Sequence, residues 1–145
     1  MMELIRKDTD YAMRVLVYLA IPGKQGPVAA KVLAKTQDIP NDFAYKILRK
    51  LTKAGLLEGY MGSHGGFILA RSPTQITLLE VVEAIQGPVV VRKCCLGLDV
   101  CPRRPSCSVS VKLEELQDSL VKFLGNITLD EVLEARYPQQ GCDSG

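Results

Sequence analysis

The sequence predicts a mainly α-helical fold with one small β-hairpin. Apolar residues recur every three or four positions in segments 8–20 and 41–54, as they do along one face of an α-helix. Two short apolar runs, 56–60 and 67–70, flank the glycine-rich stretch 61–66, which is typical of two strands joined by a tight turn. The chain of 145 residues is long enough for one hydrophobic core, so we expect a single domain with an appendage.

The first two predicted helices are separated by helix breakers. Residues 8–20 form the first helix, which Asp8 or Thr9 can cap. Two prolines and two glycines in residues 21–27 end it, and a short second helix is predicted over residues 28–36. The residues expected to face the core are Ala12, Val15, Leu16 and Leu19 in the first helix and Ala29, Val32, Leu33 and Thr36 in the second.

A third helix is predicted over residues 41–54, with Asn41 as its cap and Gly55 at its end. It follows the second helix after the tight turn 37–40, which is the helix-turn-helix arrangement. Its two faces differ sharply in chemistry. The inward face is apolar, with Ala44, Ile47, Leu48 and Leu51, whereas the opposite face carries Lys46, Arg49, Lys50 and Lys53.

This cationic face predicts DNA binding. A charge run usually marks a solvated face, but solvated faces mix signs, and this one has no carboxylate. Residues 1–71 carry a net charge of +5 and residues 72–145 a net charge of −3, which agrees with a nucleic-acid reader in the first half. We interpret the third helix as a recognition helix for the major groove. Its candidate DNA-binding residues are Asn41, Asp42, Phe43, Tyr45, Lys46, Arg49, Lys50 and Lys53.

The hairpin is interpreted as the wing of a winged helix-turn-helix. Its tip lacks the GK[ST] ending of a phosphate-binding loop and leads into a strand, which argues against nucleotide binding. The glycines would let the backbone approach DNA closely. Ser63 and His64, the only histidine of the chain, are the candidate DNA contacts at this tip.

Three cysteines, Cys95, Cys101 and Cys107, follow at C-x5-C-x5-C spacing. The glycine and prolines between them set turns that let a loop fold its thiolates around one point. A disulfide framework is disfavoured, because the chain has five cysteines, including Cys94 and Cys142. We interpret the segment as a metal or cluster site, with a thiol switch as the alternative.

The sequence argues against a secreted protein, a membrane protein, an enzyme and an electron-transfer protein. The charged N-terminus lacks the features of a secretory signal, and the longest apolar run, residues 15–21, is too short to cross a bilayer. We therefore expect a cytoplasmic protein with reduced thiols and no membrane partner. The sequence has no nucleophile–base pair, second cluster motif or cofactor fingerprint, so an enzyme or an electron-transfer protein is disfavoured.

The second half of the chain predicts a long helix with an apolar seam. A shorter helix comes first, before the cysteines: a capping box from Thr77 to Glu80 begins it, and Gly87 and Pro88 end it. The seam residues after the cysteines alternate in steps of four and three: Val109, Leu113, Leu116, Leu120, Phe123 and Ile127. Such a seam can pack on its own chain, but repressors of this architecture usually act as two-fold dimers, so we interpret it as a dimerisation helix.

Four regions are therefore predicted. Residues 1–88 form a winged helix-turn-helix DNA-binding domain, and residues 89–108 form a cysteine-rich cluster-binding loop. Residues 109–137 contain the dimerisation helix and a C-terminal helix, and residues 138–145 are a polar tail.

Over about residues 3–135 the chain resembles the IscR/NsrR-type winged-helix regulators, bacterial transcription factors that sense through iron–sulfur clusters. The likeness is carried by TDYAMRVLVYLA in the first helix, GSHGGF at the wing, TLLEVVEAIQG, the cysteine spacing and FLGNITLDEVL. The resemblance implies a homodimeric repressor that binds palindromic double-stranded promoter DNA, with one cluster per subunit.

The ligand pattern is closer to the NsrR-like branch. In the IscR-like branch a histidine three residues after the last cysteine completes a two-iron cluster, and Ser110 occupies that position here. In the NsrR-like branch the aspartate of the TDY motif reaches the cluster of the other subunit, and this chain has Asp10 there. The resemblance implies that Asp10 acts in trans, as the fourth ligand of the cluster in the other subunit. It also implies a [4Fe–4S] cluster rather than a [2Fe–2S] cluster. Cys94 is the alternative ligand.

The resemblance leaves the signal open among nitric oxide, redox state and iron–sulfur supply. It also leaves the operator sequence open, because Met61 stands near the wing tip where IscR-like proteins have an arginine. The alternative function is a DNA-binding regulator whose cysteine loop binds zinc or acts as a thiol–disulfide switch. Visible absorbance would distinguish the two, since zinc and thiols are colourless.

Overall fold

The computed structural model describes residues 1–96, 102–103 and 106–136. It confirms a mainly α-helical fold with one small antiparallel hairpin. None of the helices in those ranges has the length and hydropathy that crossing a membrane requires. The elements are α1 Lys7–Ala20, α2 Ala30–Thr36, α3 Asn41–Lys53, β1 Leu57–Tyr60, β2 Gly66–Leu69, α4 Leu78–Gln86, α5 Ser108–Gly125 and α6 Leu129–Arg136, with 3-10 turns at Pro73–Gln75 and Lys93–Leu96.

The hydrophobic core forms around α1, which packs against α3, α4 and α6. The predicted stripe on α1 is confirmed at Ala12, Val15 and Leu16, which are buried, while Leu19 is half-buried against the core. Burying such apolar side chains contributes about 1.5–3 kcal/mol each for the larger ones and is the main force that holds the helices together.

The C-terminal helix belongs to the same core. Leu129, its first residue, is fully buried, and the Leu129 N–H bonds the Ile76 carbonyl at 3.0 Å. The Leu78 N–H bonds the Ile127 carbonyl at 2.9 Å in return. The core therefore draws on both sides of the predicted boundary at residue 88.

The predicted inward face of the second helix is confirmed at Leu33 and wrong at its other three positions. Val28 pairs with Phe67 through backbone hydrogen bonds of 3.0 and 2.9 Å, so the chain is still extended at residue 28. The helix begins only at Ala30, so residues 28 and 29 do not belong to it. Ala29, Val32 and Thr36 are exposed, whereas Leu33 and Ala34 are buried.

The predicted caps are wrong at the first and third helices and confirmed at the fourth. Asp8, Thr9 and Asn41 lie inside their helices, because the chain leaves the extended conformation at Arg6 and Pro40, and neither of these gives a side-chain cap. In α4 the Glu80 N–H bonds the Thr77 hydroxyl at 3.3 Å, and the Glu80 carboxylate accepts from the Thr77 N–H at 3.0 Å. This is the capping box expected from the sequence.

The hairpin stands beside α3. Its register pairs Leu57 with Leu69 and Tyr60 with Gly66. Gly66 allows the close approach of residue 28, because a Cβ at this position would overlap the backbone carbonyl of Val28. The hairpin is thus fixed to the body of the protein beside its tip, where Gly66 begins β2.

Candidate DNA-binding surface and cysteine segment

The two faces of α3 are as predicted. Its apolar residues, Ala44, Ile47, Leu48 and Leu51, are all buried in the core. The eight candidate DNA-binding residues of this helix are all exposed. Because the buried stripe locks the rotation of the helix, it also fixes which side chains face outward.

The N-terminal end of α3 presents polar and aromatic groups. Asn41 and Asp42 are exposed, and Phe43 and Tyr45 are each 48% exposed. Phe43 packs edge-on against Tyr11 of α1, with ring centroids 6.2 Å apart. These groups could reach base edges, since residues at the start of a recognition helix are those that enter the groove.

Three of the four cations on α3 are uncommitted. Lys46, Arg49 and Lys53 have no ion pair or side-chain hydrogen bond with any other residue in the described ranges. Lys50 differs, because its Nζ donates to the Ile85 carbonyl at 3.3 Å. Free cations suit phosphate contacts, which work by releasing counterions from DNA.

The wing lies next to this cationic face. Tyr45, Arg49, Lys53 and Phe67 border one groove between α3 and β2. Ser63 and His64 are exposed at the tip. The structure therefore places a strand of the predicted wing beside the cationic face of α3.

Two of the three predicted thiolate ligands lie in the described part of the chain. Cys95 is in the 3-10 turn Lys93–Leu96 and Cys107 is the residue that precedes α5, and both are half-buried free thiols. The 3-10 turn packs against α5. Cys101, Cys142 and the predicted tail 138–145 lie outside the described residues. No group of three His, Cys, Asp or Glu side chains that could hold a metal ion occurs within those described.

The pKa of the Cys107 thiol lies below its usual value. Hydrogen bonds from the backbone N–H groups of Ser110 and Val109 lower its pKa, and Arg103 adds a smaller effect of the same sign. Such N–H groups at the start of a helix stabilise negative charge. Thiolates are the soft ligands that iron–sulfur clusters and zinc prefer, so the described thiols fit a thiolate-bound group.

Ser110 and Asp10 occupy different environments. The Ser110 side chain is buried, and its hydroxyl donates to the Cys107 carbonyl at 2.8 Å. Asp10 lies on the outer side of α1, where its carboxylate is 59% exposed and 3.3 Å from the Arg14 guanidinium. Arg14 in turn donates to the Gln37 carbonyl at 3.2 Å. The Asp10 carboxylate is therefore accessible from outside its own chain.

Comparison with known proteins identifies the family. The Rrf2 model, described as an iron-dependent transcriptional regulator, matches residues 5–135. The chain belongs to the Rrf2 family of transcriptional regulators. It is 31% identical over 133 residues to Protein aau3 of Rhizobium meliloti, covering 91% of this chain and 86% of that protein.

Two solved structures share the fold of this Rrf2 chain. T. potens IscR has a TM-score of 0.72 at 25% identity, covering 94% of this chain and 90% of that one. CymR, the global cysteine regulator of B. subtilis, has a TM-score of 0.73 at 21% identity, covering 93% and 98%. The fold is thus a winged helix of DNA-binding regulators, and the chain is a transcriptional regulator rather than an enzyme.

Sequence reasoning missed several residues around this site. Arg14 beside Asp10, Ile85 beside Lys50, and the glutamines Gln86 and Gln117 were not predicted to take part. Arg14 could have been found, since an aspartate and an arginine four residues apart on a helix are neighbours. The glutamines give no such signal, because their partners lie far away in the Rrf2 chain.

Proposed function

We propose that the protein is a homodimeric repressor that binds palindromic promoter DNA and senses its signal through an iron–sulfur cluster. One observation carries this proposal. Cys95 lies in the 3-10 turn Lys93–Leu96, Cys107 directly precedes α5, and this turn packs against α5. Cys95, Cys101 and Cys107 would hold the cluster through thiolates, with Asp10 of the other subunit as fourth ligand. When bound, a [4Fe–4S] cluster would supply a centre that reacts with oxygen, nitric oxide or electrons.

The surface of α5 supports the homodimer. Val109, Leu116 and Phe123 are spaced by seven residues and are 60%, 52% and 64% exposed. Leu116 also borders the cavity within its own chain, together with Leu120 and Leu124, and of these three Leu124 is buried. A row of large apolar side chains at heptad spacing is unfavourable in water and favours packing against a second copy.

The exposure of Asp10 supports its role in trans. A ligand donated to another subunit must lie on the outer surface of its own chain, as the Asp10 carboxylate does. The buried Ser110 hydroxyl, which is bonded to the Cys107 carbonyl, is in contrast a poor ligand.

A spectrum of protein prepared without oxygen, with iron and sulfide counts, tests the cluster. We expect visible absorbance and about four irons and four sulfides per chain for a [4Fe–4S] cluster. Cys95→Ser, Cys101→Ser and Cys107→Ser should each lose the absorbance, and Cys142→Ser serves as the matched cysteine variant that should keep it. Light scattering should give a molar mass of two chains for the wild type. Phe123→Glu should reduce this mass to that of one chain.

The second candidate function is a DNA-binding regulator whose cysteine segment binds zinc or switches between thiols and a disulfide. It is favoured by the same two free thiols, because the lowered pKa of the Cys107 thiol also promotes disulfide exchange. A colourless protein with bound zinc would favour this second function over the cluster. So would a protein whose count of free thiols falls reversibly in air.

A further inference from the structure

The side chain of Gln86, the last residue of α4, holds the start of the chain. Its Oε1 accepts from the Arg6 N–H at 2.9 Å and from the Thr9 hydroxyl at 2.6 Å, and its Nε2 donates to the Leu4 carbonyl at 3.1 Å. Thr9 is completely buried, so its hydroxyl depends on a protein partner. Gln86 therefore fixes the beginning of α1 to the end of α4.

The neighbouring carbonyl connects the same turn to the recognition helix. Ile85 accepts from Lys50 Nζ and from Arg6 Nη2, each at 3.3 Å. Carbonyls in the last turn of a helix lack partners within the helix and carry partial negative charge, which attracts cations. The last turn of α4 thus contacts both α3 and the N-terminal segment.

Gln117 continues these contacts toward the cysteines. From α5, its Nε2 donates to the Val89 carbonyl and its Oε1 accepts from the Val91 N–H at 2.6 Å. Residues 89–91 form a linker, and only Gly87 and Pro88 separate it from Gln86. After the linker, the Cys95 N–H bonds the Arg92 carbonyl at 2.9 Å.

Polar contacts rather than tight packing hold the linker. A cavity of about 410 Å³ separates residues 88–91 from the N-terminal residues and from α5. Its lining is largely apolar and includes Leu4, Val82 and Leu120. Since close packing is what makes interiors rigid, a linker beside a cavity can shift when its few hydrogen bonds rearrange.

We propose that Gln86 is a positioning residue that transmits the state of the cysteine segment to the recognition helix through the Ile85 carbonyl and Lys50. The inference rests on the proposed sensing function. A shift of residues 89–95 moves the last turn of α4, which withdraws the Ile85 carbonyl from Lys50. The released ammonium is then free to contact a DNA phosphate. The two states therefore differ by one phosphate contact, which changes the slope of log affinity against log salt by about 0.9.

The test compares DNA affinity in two preparations of the full protein, one kept without oxygen and one oxidised in air. The probe is an operator fragment selected from random-sequence DNA. We expect the wild-type affinities to differ by about 5- to 150-fold, and those of Gln86→Leu by less than about twofold. The matched control is Gln75→Leu, an exposed glutamine that should keep the wild-type ratio.

A second variant separates coupling from stability. Gln86→Leu leaves the buried Thr9 hydroxyl without a partner, whereas Thr9→Val combined with Gln86→Leu removes both polar groups and restores stability. The double variant still lacks the bonds to Leu4 and Arg6, so its affinity ratio should stay below about twofold. Lys50→Gln should also lower the ratio, and its effect should not add to that of Gln86→Leu.

The outcomes distinguish the inference from the proposed function. Equal wild-type affinities in the two preparations would overturn the proposed sensing function and this inference with it. A wild-type difference that survives in Gln86→Leu and in the double variant would overturn the inference alone. A difference lost in both variants and kept in Gln75→Leu would establish Gln86 as the connection.

Discussion

The hydroxyl of Thr9 and the side-chain oxygen of Gln86 lie 2.6 Å apart, although 77 residues separate them in the chain. The hydroxyl is buried where α1 packs against α4, and Gln86 supplies its hydrogen-bond partner there. A buried polar pair of this kind stabilises one relative position of two helices, because any other position leaves a donor without an acceptor.

This pair predicts an unusual pattern of stability. Gln86→Leu alone should lower the free energy of unfolding by about 1–3 kcal/mol, because the Thr9 hydroxyl stays buried without a partner. Adding Thr9→Val should recover most of the loss, since two apolar groups of similar shape then face each other. Urea denaturation at fixed protein concentration measures both. A double variant less stable than Gln86→Leu would contradict the assignment.

The free cations of α3 predict the salt dependence of DNA binding. Lys46→Ala, Arg49→Ala and Lys53→Ala should each weaken binding to all sequences and make the slope of log affinity against log salt shallower by about 0.9. Fluorescence anisotropy over a range of salt concentrations measures the slope. Lys112→Ala is the control, because this lysine lies on α5 and pairs with Glu115 at 3.2 Å. A triple variant that binds as the wild type does would exclude α3 as the recognition helix.

Two glycines of the hairpin predict different costs. Gly66→Ala should destabilise the protein by about 3 kcal/mol, since the new Cβ overlaps the Val28 carbonyl and forces the backbone apart. Gly62→Ala should cost only about 1–2 kcal/mol, because its φ of 105° is strained for alanine but nothing lies within 4 Å. Thermal and urea unfolding compare the two variants. Equal losses would show that the hairpin does not press against residue 28.

Asp10 predicts a spectroscopic change if it is a ligand. Asp10→Ala should alter the visible spectrum of protein prepared without oxygen and shorten the lifetime of the absorbance in air. An acid that only stabilises a helix end would instead cost up to about 1 kcal/mol and leave the spectrum unchanged. Asp42→Ala is the control, because Asp42 is also an exposed acid in the first turn of a helix. An unchanged spectrum in Asp10→Ala would make Cys94 the next candidate ligand.

The sequence by itself determined the features that depend on neighbours within one or two helical turns. The opposite faces of α3 follow from the spacing of Ile47 and Leu51 against Lys46 and Arg49, because a helix places residues three and four apart on the same side. The capping box of α4 needs only Thr77 and Glu80 in the right order. Such features depend on residue spacing within one segment, so they can be recognised before the distant contacts of that segment are known.

Only the tertiary structure decided where distant segments meet. Val28 continues as extended chain because Phe67 pairs with its backbone, which the local helical pattern could not show. Lys50 contacts the Ile85 carbonyl, and Gln86 contacts Thr9, because the core brings α1, α3 and α4 to one point. These contacts form only when many apolar side chains are buried together, so their free energy belongs to the packed chain and has no signature in any single segment.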